Sequence, residues 1–360
     1  MRCGGEGRRL MRAVVIAQHG GPEALAVTDV ERPRAGPGQA LVRVAAAGLN
    51  RMDLFLRQGL AGPGVRQAPL PHVPGVECAG FLEALGPDTP SAYEIGDRVV
   101  VYSGLSCGMC RHCRAGQEGR CAHYRIVGED VWGAHAEYVA VPARNLLKVP
   151  DAIPLHVAAA APIAFGTAWT VLVSGAQVRV GERVVVTGAS GGVATAAMAI
   201  AKAAGAQVLA GTRGTVKAAQ LEELPTTDAV FDTGVPDWHR QVLALTDGDG
   251  ADVVVDAAGA PTWPEAIRSL APGGRLSICG ATGGDNPDIS IRELYQSHRR
   301  IVGSPLGGWA DFHDAMQLVF RGDLEPVIHA VLPVEKIAEA HELMAADAHV
   351  GKIVLTLPEN

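Results

Sequence analysis

The sequence predicts an α/β protein of two domains, one of which is built on a doubly wound parallel sheet. Its 360 residues exceed what a single hydrophobic core usually organises. Up to about residue 151, short β-rich runs such as ALVRV and DRVVVY alternate with turns rich in glycine and proline. From about residue 154, apolar runs alternate with alanine-rich helical segments, the pattern typical of βαβ units.

Five apolar runs in the second part end in Gly, Thr or Asp, and we expect them to be parallel strands: RVVVTG, AQVLAGT, DAVFDT, ADVVVDAAG and GRLSICG. Beyond Arg300 the pattern predicts a helix near Asp311 to Arg321, a helix near Val334 to Ala346 and a closing strand, KIVLTL, that rejoins the first domain. Residues 1–10 are basic, and we expect a disordered extension there, with Met11 as an alternative start.

The composition excludes several classes of function. Apolar residues make up 48% and charged residues 19%, which favours a folded chain over a disordered one, and no apolar run reaches the length of a bilayer span. A net charge of -7 gives no electrostatic basis for binding nucleic acid or anionic membranes. We therefore expect a small-molecule substrate. We also expect the chain to assemble as a homodimer or homotetramer. Cysteines clustered at metal-ligand spacing favour a cytoplasmic location over a disulfide framework.

The segment RVVVTGASGGVATAAMAIAKAAGAQVLAGT predicts strand, glycine-rich turn, helix and strand. Missing side chains at Gly188, Gly191 and Gly192 would let backbone N–H groups approach a pyrophosphate, whose charge the helix N-terminus stabilises. Ser190 would add a hydroxyl donor. Glycine also serves any tight connection between a strand and a helix, but the complete βαβ unit favours a dinucleotide site.

The end of the second strand of this unit indicates which dinucleotide is bound. An NAD-specific site has an acidic residue there, which accepts hydrogen bonds from the ribose hydroxyls. This sequence has Thr212 and Arg213 instead, with Lys217 one turn later. A cation at this position can bind the 2′-phosphate of NADP. Arg213 and Lys217 could alternatively be solvated surface cations, and NADP(H) is the cofactor that we predict.

Four cysteines, Cys107, Cys110, Cys113 and Cys121, follow one another within a short glycine-containing stretch. This spacing predicts a tetrahedral zinc site with four thiolate ligands. Four sulfur ligands leave no open position, so the zinc would be structural, with one ion per chain. An iron–sulfur cluster uses the same number of ligands but is disfavoured, because the predicted nucleotide already carries hydride.

From Met11 onward the chain resembles the medium-chain dehydrogenase/reductase superfamily. The stretches that carry the resemblance include AAGLNRMDLFLRQG, PHVPGVECAG, the four-cysteine segment, GAHAEYVAVPARNLLKVPD and TGASGGVATAAMAIAKAAGA. The resemblance implies a GroES-like catalytic domain formed by residues 11–153 and 301–360, with the zinc lobe near 105–123. It also implies a Rossmann NADP(H)-binding domain over residues 154–300, with the active site in the cleft between the two domains.

Zinc alcohol dehydrogenases of this superfamily have catalytic zinc ligands where this sequence has Asn50, Val76 and Ile163. Valine and isoleucine cannot coordinate zinc, and an amide is a poor ligand. Asn50 followed by Asp53 instead resembles the quinone oxidoreductase and enoyl reductase branch. The resemblance therefore implies NADPH-dependent reduction of a quinone or enone, with Asn50 and Asp53 as the candidate catalytic residues and solvent as the proton source.

Several further residues are candidates with structural alternatives. Asn50 would donate to the substrate oxygen or fix the nicotinamide ribose, or would be a hydrogen-bonded turn residue. Asp53 and Glu77 could equally pair with arginine or with the backbone. We also assign Thr167, Val193 and Lys352 to the cofactor site; Lys352 matches the family position whose basic side chain reaches the pyrophosphate, and could instead be a surface lysine. Two aromatic residues are expected either in the pocket wall or in the core: Phe165 and Trp169.

Two competing functions remain open at the level of sequence. The first is an alcohol or aldehyde dehydrogenase whose catalytic zinc uses displaced ligands such as Asp53, His72 or Glu77. The second is a nucleotide-binding protein without catalytic turnover, because a fold does not guarantee an activity.

Overall fold

Two β-sheets organise the chain in the computed structural model, which describes residues 9–60, 67–90 and 92–358. The strands are β1 (Leu10–Ile16), β2 (Leu25–Glu31), β3 (Gln39–Leu49), β4 (Cys78–Leu85), β5 (Arg98–Val101), β6 (Gly104–Leu105), β7 (Arg125–Ile126), β8 (Tyr138–Pro142), β9 (Leu146–Lys148), β10 (Arg183–Thr187), β11 (Gln207–Thr212), β12 (Ala229–Asp232), β13 (Ala251–Asp256), β14 (Leu270–Ile278), β15 (Arg300–Gly303), β16 (Ile328–Pro333) and β17 (Lys352–Thr356). Residues 1–8 of the expected extension lie outside the described residues, and β1 begins one residue before the predicted start at Met11.

The helices lie mainly in the second half of the chain. They are α1 (Arg51–Gln58), α2 (Arg111–Arg114), α3 (Leu155–Ala159), α4 (Pro162–Trp169), α5 (Gly192–Ala203), α6 (Thr215–Glu222), α7 (His239–Leu245), α8 (Trp263–Arg268), α9 (Ile291–Gln296), α10 (Trp309–Arg321) and α11 (Ile337–Ala345). A π-helical turn, Thr170–Ala176, continues α4. Within the described part of the chain, no helix combines the length and the apolar character that crossing a membrane would require.

A parallel sheet of six strands forms the second domain, in the order β12-β11-β10-β13-β14-β15. All five strands predicted for this domain are present, so the predicted α/β fold class is confirmed. The strand order reverses between β10 and β13, and ligands of such sheets bind in the crevice at the carboxyl ends of the strands at this point. The glycine-rich turn follows β10 directly.

The domain boundary expected after residue 300 falls inside this sheet, because the unpredicted sixth strand, β15, pairs with β14 through Gly303. Helix α10 also belongs with the second domain by its packing. It lies against α4, and its buried Phe312 and Met316 share one core with Val184 of β10. This contact joins segments more than 120 residues apart, so local sequence patterns do not reveal it.

The larger sheet of the first domain contains seven strands, and the C-terminal strand β17 is the second from one edge, between β16 and β3. β17 pairs antiparallel with β3, with Ile353 opposite Leu49. The structure therefore confirms that the closing strand rejoins the first domain. This pairing places Lys352, the first residue of β17, beside the end of β3, where Asn50 follows.

The unpredicted helix α1 begins immediately after β3 and positions Asn50. Asn50 is the N-cap, with extended backbone, and its N–H donates to the carboxylate of Asp53 at 2.8 Å. Gly59 ends the helix in the left-handed conformation, with a φ of 72°. Because the helix is only eight residues long, its start depends on this capping contact.

His341 of α11 is a buried titratable group of the first domain. Its side chain is 0% exposed, and neither ring nitrogen has a hydrogen-bond partner among the residues that the structure describes. Burial, reinforced by the charges of His135 and Arg57, lowers the pKa of His341 to about 3. The imidazole is therefore neutral in the folded protein at pH 7.

We expect the free energy of unfolding to decrease as the pH falls below about 6.5, the ordinary pKa of histidine. Between that pH and about 3 the unfolded chain binds a proton at His341 that the folded chain does not, so stability is complete above this range and is lost on acidification. His341→Leu should remove up to about 1.4 kcal/mol per pH unit from this slope. Urea unfolding at a series of pH values measures it, with the exposed His313→Leu as control. An unchanged slope in His341→Leu would contradict the assignment.

Candidate active site

Four cysteine side chains converge between β6 and β7. Their sulfur atoms all lie within 4.8 Å of one another. The Sγ–Sγ distances are 3.5 Å from Cys107 to Cys121, 3.5 Å from Cys110 to Cys113 and 3.8 Å from Cys107 to Cys113. A tetrahedral zinc with Zn–S bonds of about 2.3 Å requires sulfur separations of about 3.8 Å. The cluster therefore fits a closed structural zinc site.

The glycine-rich turn leads into α5 at the crevice of the parallel sheet. Gly188 has a φ of 58°, a left-handed conformation that other residues rarely adopt. Gly191 is the N-cap of α5 and has no side-chain cap, so the first N–H groups of the twelve-residue helix are free of a side-chain acceptor. The carbonyl of Ser190 accepts a hydrogen bond from Gly351 N–H at 2.8 Å. The turn thus has the donors and the helix orientation that a pyrophosphate requires.

Gly192 is also required for a reason that the sequence analysis did not identify. A Cβ atom at this position would lie 2.5 Å from Cδ of Lys352, so the glycine makes room for the lysine stem. The two other residues assigned to the cofactor site lie on neighbouring helices: Val193 is the second residue of α5, and Thr167 is buried in α4, which packs against α5.

The end of β11 lies beside the glycine turn because Thr187 pairs with Gly211. Thr212 is buried, and its hydroxyl has no partner among the described residues. The Arg213 guanidinium lies 3.5 Å from a carboxylate oxygen of Asp347, and the Lys217 ammonium lies 2.7 Å from the same oxygen. These two cations therefore converge on one carboxylate, which the sequence analysis did not identify.

Asp53 is held entirely by backbone groups. One carboxylate oxygen accepts from Asn50 N–H at 2.8 Å and the other accepts from Gly75 N–H at 3.0 Å. Burial raises the pKa of Asp53, while the nearby His135 and these hydrogen bonds oppose the shift. In this arrangement Asp53 positions Asn50 and the Gly75 loop, which corresponds to the backbone-pairing alternative for this residue.

Glu77 and Lys352 form a buried ion pair at the centre of the site. Their charged groups lie 2.6 Å apart, and the side chains are 0% and 5% exposed. The Lys352 ammonium also donates to Leu49 O and to Asn50 Oδ1, each at 2.7 Å. The Asn50 amide nitrogen donates to Glu77 Oε1 at 2.8 Å. The three side chains therefore form a closed network, in which Lys352 uses all three of its donors.

The positions at which the resemblance implies lost zinc ligands surround this network. Val76 is buried, and the N–H of Ile163 donates to Glu77 Oε2 at 2.7 Å. His72 bonds to Gly128 O at 2.9 Å, and burial lowers its pKa. Among the described residues, two groups have ligand atoms close enough for a metal: the four cysteines, and Asp237, His239 and Glu265 in the second domain. The proposed displaced ligands Asp53, His72 and Glu77 do not form such a group.

One further residue, Asp256, completes the description of the crevice. Asp256 ends β13 and accepts hydrogen bonds from Thr187 Oγ1 at 2.5 Å, Thr262 Oγ1 at 2.5 Å and Gly259 N–H at 2.7 Å, which fixes the loop beside the glycine turn. An acidic residue at the end of a buried strand is the signal that could have identified it. Phe165 lies in the core at 2% exposure, so it follows the core alternative, and Trp169 packs against the same core.

A glycine turn at the reversal of the parallel sheet in the second domain, together with a first domain that carries a cysteine lobe, defines the class of protein as a dinucleotide-dependent oxidoreductase. Residues 36–151 match the family model of the alcohol dehydrogenase GroES-like domain, and residues 192–321 match that of the zinc-binding dehydrogenases. The chain belongs to the medium-chain dehydrogenase/reductase superfamily, as its motifs predicted. It is an enzyme of a family that uses nicotinamide nucleotides and zinc.

Similar proteins span nearly the whole chain. The quinone oxidoreductase of Homo sapiens is 30% identical over 98% of this chain and 99% of its own length. A zinc-type alcohol dehydrogenase-like protein of Schizosaccharomyces pombe is 31% identical over 96% of this chain and 99% of its own. A solved structure described as an NAD-dependent alcohol dehydrogenase has a TM-score of 0.91 and 39% identity, over 97% of this chain and 100% of its own.

We expect Cys110→Ser to remove zinc and to lower the melting temperature, because zinc binding is coupled to folding of the loop that supplies the thiolates. Zinc per chain, measured by mass spectrometry on purified protein, should fall from about one to near zero. Cys279→Ser is the matched control, since Cys279 lies in the second domain. Full zinc content in Cys110→Ser would show that the lobe is not the metal site.

We expect Lys352→Met to destabilise the protein by about 3–5 kcal/mol, because it leaves the buried Glu77 carboxylate without a counter-charge. The double variant Lys352→Met/Glu77→Gln should recover part of this loss, since it removes both charges. The free energy of unfolding in urea gives both values. Lys336→Met, which removes an exposed lysine, is the control. A double variant less stable than Lys352→Met alone would argue against the ion pair as the cause.

Proposed function

We propose that this protein is an NADPH-dependent reductase that transfers hydride to a conjugated carbonyl compound, a quinone or an enone, and that its zinc is structural only. The observation that carries the proposal is the closed network of Asn50, Glu77 and Lys352. Glu77 already receives three hydrogen bonds, from Lys352, Asn50 and Ile163 N–H. The Lys352 ammonium therefore already neutralises the Glu77 carboxylate. A catalytic zinc that used Glu77 as a ligand would have to replace this ammonium.

The displaced-zinc alternative is disfavoured by the same reasoning. Both oxygens of Asp53 are bonded to backbone N–H groups, and one ring nitrogen of His72 is bonded to a carbonyl. Recruiting Asp53 to zinc would disturb its buried hydrogen bonds, which cost free energy to leave unmade. We therefore favour chemistry that does not need a second metal.

Reduction of a conjugated carbonyl meets this condition, because negative charge spreads onto oxygen as hydride adds to carbon. When bound, the reduced nicotinamide supplies the hydride. The Asn50 amide has one N–H committed to Glu77, while its other contact, to Gly48 O, is long at 3.4 Å. We assign this second N–H to the substrate oxygen. The nearby Lys352 ammonium, bonded to Asn50 Oδ1, polarises the amide and strengthens it as a donor. Solvent supplies the proton that completes the reduction.

The preference for NADPH is supported by Thr212, Arg213 and Lys217. A buried neutral Thr212 occupies the place of the acidic residue that an NAD-specific site uses. Arg213 follows it directly, and Lys217 lies in the first turn of α6. The glycine turn and α5 would hold the pyrophosphate. A cytoplasmic location and a homodimeric or homotetrameric assembly complete the proposal and rest on the sequence alone.

We expect the zinc-loaded enzyme to reduce enones and quinones with NADPH faster than it oxidises saturated alcohols, and a mild chelator to leave the rate unchanged. Initial rates of NADPH oxidation, with zinc per chain measured before and after chelation, provide the test. The efficiency with NADPH should exceed that with NADH by about tenfold or more, the effect of about 1.4 kcal/mol of selective binding.

Fast alcohol oxidation that is lost on mild chelation, while the cysteine lobe keeps its zinc, would refute the metal-free chemistry. Two tightly bound zinc ions per chain would refute it as well. Equal efficiency with NADPH and NADH would refute only the cofactor preference. No reduction of any enone or quinone, with nucleotide binding intact, would favour the catalytically silent alternative.

A further inference from the structure

Asp347 lies at the point where three cations from different parts of the chain converge. Lys217 of α6 lies 2.7 Å from its carboxylate, Arg213 lies 3.5 Å away and Arg51 of α1 lies 3.7 Å away. Asp347 follows α11, so the cluster joins the end of β11 in the second domain to two helices of the first. Arg51 is held in place by a further hydrogen bond to Met344 O at 3.0 Å.

An aspartate at position 347 suits both the backbone conformation there and the positive charge of the cluster. Its φ is 53°, the left-handed region, which aspartate and asparagine enter more readily than most other residues. Burial alone would raise the pKa of Asp347, but the Lys217 hydrogen bond and the charges of Arg51 and Arg213 hold that pKa below its ordinary value. Asp347 is therefore an anion at neutral pH.

We propose that Asp347 determines nucleotide specificity, by acting as an internal anion on the cations that would bind the 2′-phosphate of NADPH. The inference rests on the assignment of Arg213 and Lys217 to that phosphate in the proposed function. The four side chains of the cluster carry three positive charges and one negative charge, so a dianionic phosphate is still attracted. The phosphate must, however, share Lys217 with the Asp347 carboxylate or displace that carboxylate from Lys217.

NADH has no 2′-phosphate and does not compete with Asp347 for these cations. The carboxylate therefore weakens NADPH binding selectively and makes the preference for NADPH smaller than the cations alone would give. This is discrimination through a repulsive element, in which a like charge close to the ligand lowers the affinity for one of two similar molecules. The effect is moderate because Asp347 and Arg213 are partly exposed and solvent screens their charges.

Asp347→Asn tests the proposal, because asparagine has nearly the same shape, tolerates the left-handed backbone and removes only the charge. Two probes report on the phosphate without involving the reaction: adenosine 2′,5′-bisphosphate and adenosine 5′-monophosphate. Calorimetric titration of the zinc-loaded full-length protein should show the bisphosphate binding roughly three- to tenfold tighter to Asp347→Asn than to wild type, as expected for a partly screened charge. Binding of the monophosphate should change less than twofold.

Glu339→Gln is the matched control, since it removes one negative charge from α11 at an exposed position paired with Lys336. It should leave both dissociation constants unchanged. Equal changes for the two probes in Asp347→Asn would overturn the proposal and indicate that Asp347 only holds the two domains together. No change for either probe would overturn it as well.

The same titrations separate this inference from the proposed function. A wild-type protein that binds both probes equally would refute the NADPH preference. A selective gain for the bisphosphate in Asp347→Asn would still support the role of Asp347, because the internal anion would then explain why the cations confer no preference.

Discussion

The buried ion pair between Lys352 and Glu77 is the interaction on which the arrangement of the active site depends. Removing two charges from water costs several kcal/mol for each ion, and their mutual attraction offsets this only when the geometry is good and the remaining donors and acceptors are satisfied. Here the ammonium has three acceptors and the carboxylate has three donors. The pair thereby fixes the Asn50 amide, with its oxygen toward Lys352 and its nitrogen toward Glu77.

The cysteine lobe and the network around Lys352 differ in what they can contribute to the enzyme. A four-thiolate site contributes folding energy but has no position for a substrate. A lysine ammonium supplies a fixed positive charge, yet it cannot coordinate a substrate oxygen as a Lewis acid, and the donors of Lys352 are already used. The chemistry that we propose is consistent with both limits, because a conjugated acceptor distributes the negative charge that zinc would otherwise stabilise.

The sequence predicted those features that depend on local pattern, and it failed where distant segments meet. The five strands of the parallel sheet, the glycine turn and the cysteine spacing are all local, and the structure contains each of them. Gly192 was assigned to the pyrophosphate, and that assignment remains a prediction; the sequence did not reveal that a Cβ at this position would meet the stem of Lys352, 160 residues later in the chain. Asp347 belongs to no local sequence motif. Its partners Arg213 and Lys217 lie more than 120 residues before it, so the sequence pattern could not identify it. Packing of α10 against α4 was missed for the same reason.

The contacts of Asp347 and of Gly192 share one origin, the segment of residues 347–352, which follows α11 and enters β17 at Lys352. At its start, Asp347 meets the cations at the end of β11; near its end, Gly351 N–H donates to Ser190 O in the glycine turn. Lys352 then passes Gly192 and reaches Asn50 and Glu77. The segment therefore runs from the cations proposed for the 2′-phosphate, past the proposed pyrophosphate site, to the proposed reacting centre. Because β17 is held against β3 in the sheet of the first domain, the same six residues connect that sheet to each part of the nucleotide site. A change in the position of β17 would consequently alter nucleotide binding and the orientation of Asn50 together.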